Sequence, residues 1–155
     1  MKTVALLPMK AHSERVSGKN FRPLGGKPLF KWILESLLAV EVIDQIVINT
    51  DARDLLESNG LVEDERVFIR DRKKNLCGDH VSMNLILDDD LRSTSADRYL
   101  MTHTTNPMLS CTTINAALAE YSKGLAQDRY DSLFSVTKYQ TRFYKFDGSA
   151  INHDP

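Results

Sequence analysis

Short apolar runs alternating with helically spaced apolar stripes constrain this chain more than any other feature of its sequence. The segment Thr3-Val4-Ala5-Leu6-Leu7-Pro8-Met9 is apolar almost throughout and bounded by polar residues, the pattern of a strand buried on both faces. Pro28 suits a first helical turn, and Phe30, Ile33, Leu34, Leu37 and Leu38 then recur at helical spacing. Residues 45–50 form a second apolar run, and Asp51 is positioned to cap a helix that starts at Ala52-Arg53-Asp54 and ends before Gly60. A third strand is expected over 67–69, a helix over about 80–91, a fourth strand over 98–102, and a helix carrying Ile114, Ala117, Leu118, Tyr121 and Leu125. Residues 133–137 read as a fifth strand, and Asp147-Gly148 signals a hairpin whose return strand starts near Ala150. Such alternation predicts an α/β fold with a mainly parallel sheet, helices on both faces, and ligands beyond the carboxyl ends of the strands.

Composition narrows the function classes. The 155 residues, 42% of them hydrophobic, suffice for one proper core, so a single domain over 1–155 is expected. A formal net charge of −1 leaves no broad basic field for nucleic acid, although a local basic cluster can hold a small polyanion. The first residues lack a signal peptide's apolar region and cleavage site, and no stretch is long enough to span a bilayer, so a cytoplasmic protein is expected. Cys77 and Cys111 are far apart without metal-ligand spacing and read as ordinary reduced residues. The last five residues break off where the hairpin should return, so the domain is expected to be incomplete at its C-terminus.

The loop after the first strand, Lys10-Ala11-His12-Ser13-Glu14-Arg15-Val16-Ser17-Gly18-Lys19-Asn20, has the composition of a phosphate cradle. Small residues let backbone N–H groups approach phosphate oxygens, while Arg15 and Lys19 would neutralise a triphosphate and a departing pyrophosphate. It is not a Walker A loop, and no G-x-G-x-x-G follows a strand.

The stretch PMKAHSERVSGKNFRPLGGKP, residues 8–28, resembles the signature loop of the acylneuraminate cytidylyltransferases, and its Arg15-Val16-x-Gly18-Lys19 portion is also similar to the 3-deoxy-manno-octulosonate cytidylyltransferases. IVINTDARD and LMTHTTNPML resemble two further family segments in the same order. The resemblance implies a Rossmann-like fold of the nucleotide-diphospho-sugar transferase type and transfer of CMP from CTP to a 2-keto sugar acid, an N-acylneuraminate or related nonulosonate. Two alternatives stay open: transfer to 3-deoxy-manno-octulosonate, or a nucleotide-binding module without turnover.

The family's nucleotide-lining positions match Lys10, Ser13, Lys19 and Asn20, with lysine for the usual arginine at Lys10 and serine for proline at Ser17. Arg70, Asp79 and Ser82 match its third-strand motif, and His103 stands for a glutamine that faces the cytosine or the sugar. Arg15 and Lys19 are thereby the candidate catalytic residues, and Mg²⁺ is the implied cofactor, with its ligands unassigned. Partners implied are CTP, an acidic sugar and, at full length, a second copy in a homodimer. Asp88, Asp89 and Asp90 occupy successive helical positions that diverge around the cylinder, which predicts a solvated face rather than a metal cluster.

Overall fold

The computed structural model describes residues 1–13 and 15–154. The chain divides into two compact units, Met1–Leu118 and Ala119–Pro155. The first unit holds strands β1 (Thr3–Leu6), β2 (Pro23–Leu24), β3 (Lys27–Pro28), β4 (Gln45–Thr50), β5 (Val67–Asp71) and β6 (Arg98–Met101). Its helices are α1 (Leu29–Leu38), α2 (Arg53–Ser58) and α3 (Met83–Ser93), and α4 (Cys111–Ala126) begins in it. The main sheet runs β5-β4-β1-β6, all parallel, and β2 and β3 form a separate small antiparallel ribbon.

Period-two alternation divides the sheet's side chains between two faces. Ala5, Leu7, Ile46, Ile48, Val67 and Ile69 pack with Phe30, Ile33, Leu34 and Leu37 of α1, Leu56 of α2, and Ile114 and Leu118 of α4. On the opposite face Val4, Leu6 and Val47 meet Leu87 of α3, Ala96 and Tyr99. Helices therefore cover both faces, as expected, and each fully buried large side chain adds about 1.5–3 kcal/mol.

Three expectations are corrected. Asp51 does not cap α2: the cap position is Ala52, whose N–H bonds the Thr50 hydroxyl at 3.0 Å, while Asp51 Oδ1 accepts from the Ala11 N–H at 2.7 Å. The aspartates of α3 are not one solvated face. Asp88 is exposed and pairs with Arg92, but Asp90 is fully buried and Asp89 nearly so, both against Arg70 of β5. No strand forms over 133–137, where Phe134 and Val136 stand 83% and 77% exposed. An apolar, β-prone segment needs a neighbouring ladder before it becomes a strand, and the second unit provides none there.

The second unit does contain the expected hairpin. Tyr144 and Ala150 form an antiparallel bridge, Lys145 N–H donates to the Ser149 carbonyl at 2.8 Å, and Ile151 N–H donates to the Phe143 carbonyl at 2.9 Å. Asp147 Oδ1 accepts from both the hydroxyl and the N–H of Ser149, which lowers the Asp147 pKa from its ordinary value.

Candidate functional site

The parallel ladder carries the chain past the end of β1 along β4, through Leu7 N–H to the Val47 carbonyl and Met9 N–H to the Asn49 carbonyl. Lys10 therefore leaves from the carboxyl edge of the sheet. The Asp51 bond to Ala11 holds the start of the loop, and a 3₁₀ turn at Lys19–Phe21 holds its end. Gly18 enters that turn at φ 59°, a left-handed conformation that favours glycine.

Asn20 ties the loop to the chain beyond β6. It is buried, its Nδ2 donates to the Lys10 carbonyl at 2.9 Å, and its Oδ1 accepts from the Thr104 hydroxyl at 2.6 Å. The two segments become the walls of a cleft of about 180 Å³. Lys10, Ser13, Lys19, Asn20, Asp79 and His103 all line it. Met9, Val81, Met83 and Ile86 contribute its apolar part.

Six of the nine candidate residues thus converge, drawn from three separate stretches of sequence. Lys10 Nζ and Asp79 Oδ1 form an ion pair across the cleft, and His103 is exposed at its rim. The other three lie elsewhere. Arg15 is exposed on the loop and does not line the cleft. Ser82 caps α3, accepting from the Asn84 N–H at 3.3 Å. Arg70 is 15% exposed in its side chain and donates through Nη1 to Asp89 Oδ2 and, at 2.8 Å, to Asp90 Oδ1. The hydrogen bond from Arg70, reinforced by Lys73, lowers the Asp89 pKa despite burial, and Asp89 in turn raises that of Arg70.

Arg72, absent from the sequence-derived set, lines the cleft instead. Its Nε donates to Asn49 Oδ1 at 2.8 Å, and its Nη2 donates to the carbonyls of Asn49 at 2.8 Å and Met9 at 3.1 Å. Burial lowers its pKa from the ordinary value, against the opposing pull of Asp51. The parallel register pairs Asn49 with Arg70 and Thr50 with Asp71, so Arg72 is the first residue past the carboxyl edge of β5. That register is the signal that would have singled it out, and it belongs to the ladder rather than to any local motif.

Among the described residues, no three His, Cys, Asp or Glu side chains cluster to hold a metal ion. Among the described residues that line the cleft, Asp79 is the one carboxylate, and it pairs with Lys10. One carboxylate suits a cation held mainly by the phosphates of a bound ligand rather than by protein side chains alone. No described helix is long and apolar enough to cross a membrane.

A parallel α/β sheet with a cationic, partly apolar cleft at its carboxyl edge defines a Rossmann-like α/β protein of the kind that takes small ligands at that edge. Comparison with known proteins narrows this: the chain belongs to the cytidylyltransferase family, whose model matches residues 4–155. It is 23% identical over 97% of its length to the pseudaminic acid cytidylyltransferase of Campylobacter jejuni, covering 66% of that protein. It is 33% identical to the 3-deoxy-manno-octulosonate cytidylyltransferase of Synechococcus elongatus over 58 residues, 37% of this chain and 24% of that one. Its fold matches a CMP:2-keto-3-deoxy-manno-octonic acid synthetase complexed with CTP, with TM-score 0.65 and 21% identity over 81% of this chain and 49% of that one. The chain therefore spans just under two thirds of the length of the curated relative it matches along nearly its whole length.

Proposed function

We propose that this chain is the nucleotide-binding part of an enzyme that transfers CMP from CTP to a 2-keto sugar acid of the nonulosonate type, releasing pyrophosphate. The carrying observation is the convergence of Lys10, Ser13, Lys19 and Arg72 on one cleft at the sheet's carboxyl edge. Three cations there suit a triphosphate, and the apolar wall from Met9, Val81, Met83 and Ile86 suits a base. In the proposed step the sugar's anomeric hydroxyl attacks the α-phosphorus in line and gives its proton to solvent, its O–P bond forms, and the bond from the α-phosphorus to the oxygen bridging the β-phosphorus breaks, so that pyrophosphate leaves. Lys10, Lys19 and Arg72 would neutralise charge developing on the phosphates, with Arg15 meeting the pyrophosphate from the loop's exposed side. Asn20 would act by bracing the two walls, and His103 would face the cytosine or the sugar.

Mg²⁺ is part of this proposal as a companion of the triphosphate, since it commonly takes one or two carboxylates with substrate phosphates and water. No step above is routed through it. A cytoplasmic location and a homodimer at full length are carried with the same proposal, on the family resemblance. Nonulosonate is favoured over 3-deoxy-manno-octulosonate on the extent of the sequence match alone, 97% of the chain for the pseudaminic acid enzyme against 37% for the octulosonate enzyme, since the fold is shared with both kinds.

Thermal unfolding with CTP, ATP and GTP tests the nucleotide assignment. At one hundred times its dissociation constant CTP should add about 2.7 kcal/mol of stability, with much smaller effects from the purine nucleotides at equal concentration. Equal protection by ATP would overturn the cytidine assignment.

A further inference from the structure

The Arg72 guanidinium is held on two of its three nitrogens by the sheet's carboxyl edge, and its Nη1 makes no hydrogen bond among the described residues. Two carbonyls anchor Nη2, but it is the Nε bond to Asn49 Oδ1 that stops the planar group from pivoting about that anchor. Asn49 is fully buried, and its Nδ2 donates to Asp90 Oδ1 at 2.6 Å. The polarity of this amide is forced. Arg72 can only donate, so it must meet the amide oxygen, and this leaves the amide nitrogen to donate to Asp90 Oδ1.

Asp90 serves both Asn49 and Arg70. It is fully buried on α3, its Oδ1 also takes Arg70 Nη1, and its Oδ2 is buried with no hydrogen-bond partner among the described residues. A buried carboxylate oxygen without a partner is a cost that most native structures avoid. We propose that Asn49 and Asp90 are positioning residues: a buried relay from α3 through β4 that orients Arg72 toward an anionic ligand in the cleft. This rests on the reading of the cleft as a CTP site. The relay needs an amide at 49, because an amide offers an acceptor to Arg72 and a donor to Asp90 at once.

Titration calorimetry of CTP on the whole chain, in a double-mutant cycle, separates positioning from general support of the fold. Asn49→Ala should weaken CTP binding roughly tenfold when Arg72 is present, the loss expected of one hydrogen bond to a charged group. In the Arg72→Ala background the same substitution should change affinity less than about twofold, because the residue through which Asn49 acts is gone. Equal losses in both backgrounds would overturn the proposal.

A second measurement needs no nucleotide. The Arg72 Nε–H resonance, assigned by its loss in Arg72→Lys, should exchange slowly with solvent in the unaltered chain and in Asp88→Asn. It should broaden or vanish in Asn49→Ala and Asp90→Asn, and its persistence in both would also overturn the proposal. Absence of CTP binding by the unaltered chain, with the resonance behaving as expected, would remove the CTP reading and leave the relay supported.

Discussion

Lys19 and Arg15 occupy one loop nine residues or fewer from Lys10, yet the fold treats them differently. Lys19 sits in the 3₁₀ turn that Gly18 permits, is half-buried and lines the cleft, whereas Arg15 is exposed and does not. Lys19→Ala should weaken CTP binding by about 1.5–3 kcal/mol, the range for a hydrogen bond to a charged group, and Arg15→Ala should cost less because its exposed charge is screened. Calorimetry on the two variants checks the order, and a larger loss for Arg15→Ala would move the phosphates out of the cleft. The loop's contribution was legible in the sequence because Lys10, Ser13, Lys19 and Asn20 lie within one short polar stretch after an apolar run. Arg72 was not legible, because Arg70 and Arg72 are equally plausible until the pairing of Asn49 with Arg70 shows which one clears the sheet edge. Asn20 could be nominated from the loop's sequence, but its part as a brace could not, since its partner Thr104 lies 84 positions away.

The helix α3 shows how an element can be located from its sequence while its polar face is misjudged. Ser82 starts it and Ile86 and Leu87 face inward, as periodicity suggests, but Asp89 and Asp90 face Arg70 rather than water. Consecutive helical positions do diverge; what local spacing could not reveal was an arginine on the neighbouring strand. This arrangement has an acid signature. The Asp89 pKa is depressed by Arg70 in the folded state, so the pair's stabilisation is present above the unfolded carboxylate pKa and is lost as pH falls through the lower folded value. Stability should decline as pH drops below about 4, and Asp89→Asn should flatten that decline while lowering stability at neutral pH. Chemical denaturation at a series of pH values measures both; an unchanged acid slope would mean that other carboxylates carry it. In the second unit, Tyr130 donates its hydroxyl to Glu120 Oε1 at 2.8 Å and lays its ring against Gly124 of α4. A Cβ on Gly124 would stand 2.0 Å from that ring, so the substitution Gly124→Ala, favourable by about 1 kcal/mol in an open helix, should instead release Tyr130. Quenching of tyrosine fluorescence by a neutral solute should rise in the variant, and no change would mean that the ring does not rest there.

At the scale of the whole molecule, the residues that line the cleft fall between Pro8 and Thr105, inside the unit Met1–Leu118. The parallel sheet and its first covering helix were legible because β1, β4 and the start of β5 are short apolar runs and α1 carries an uninterrupted apolar stripe. The strand expected at 133–137 failed because its ladder partner, unlike its apolar pattern, is not a local property. These placements make a spatial prediction about nucleotide binding. If CTP occupies the cleft, it should slow amide exchange in the loop at 10–20, in the segment 72–79 that carries Arg72 and Asp79, and at 103–105. Protection of these three stretches follows because ligand binding stabilises the closed form of the segments it touches, and Asn20 already links the first to the third. Exchange within Ala119–Pro155, including the hairpin bonds of Lys145 and Ile151, should stay unchanged. Hydrogen–deuterium exchange with and without CTP distinguishes the possibilities peptide by peptide. Protection confined to the hairpin would place the nucleotide in the second unit and overturn the assignment of the cleft, whereas protection of all three stretches without the hairpin would locate the CTP site within the first unit.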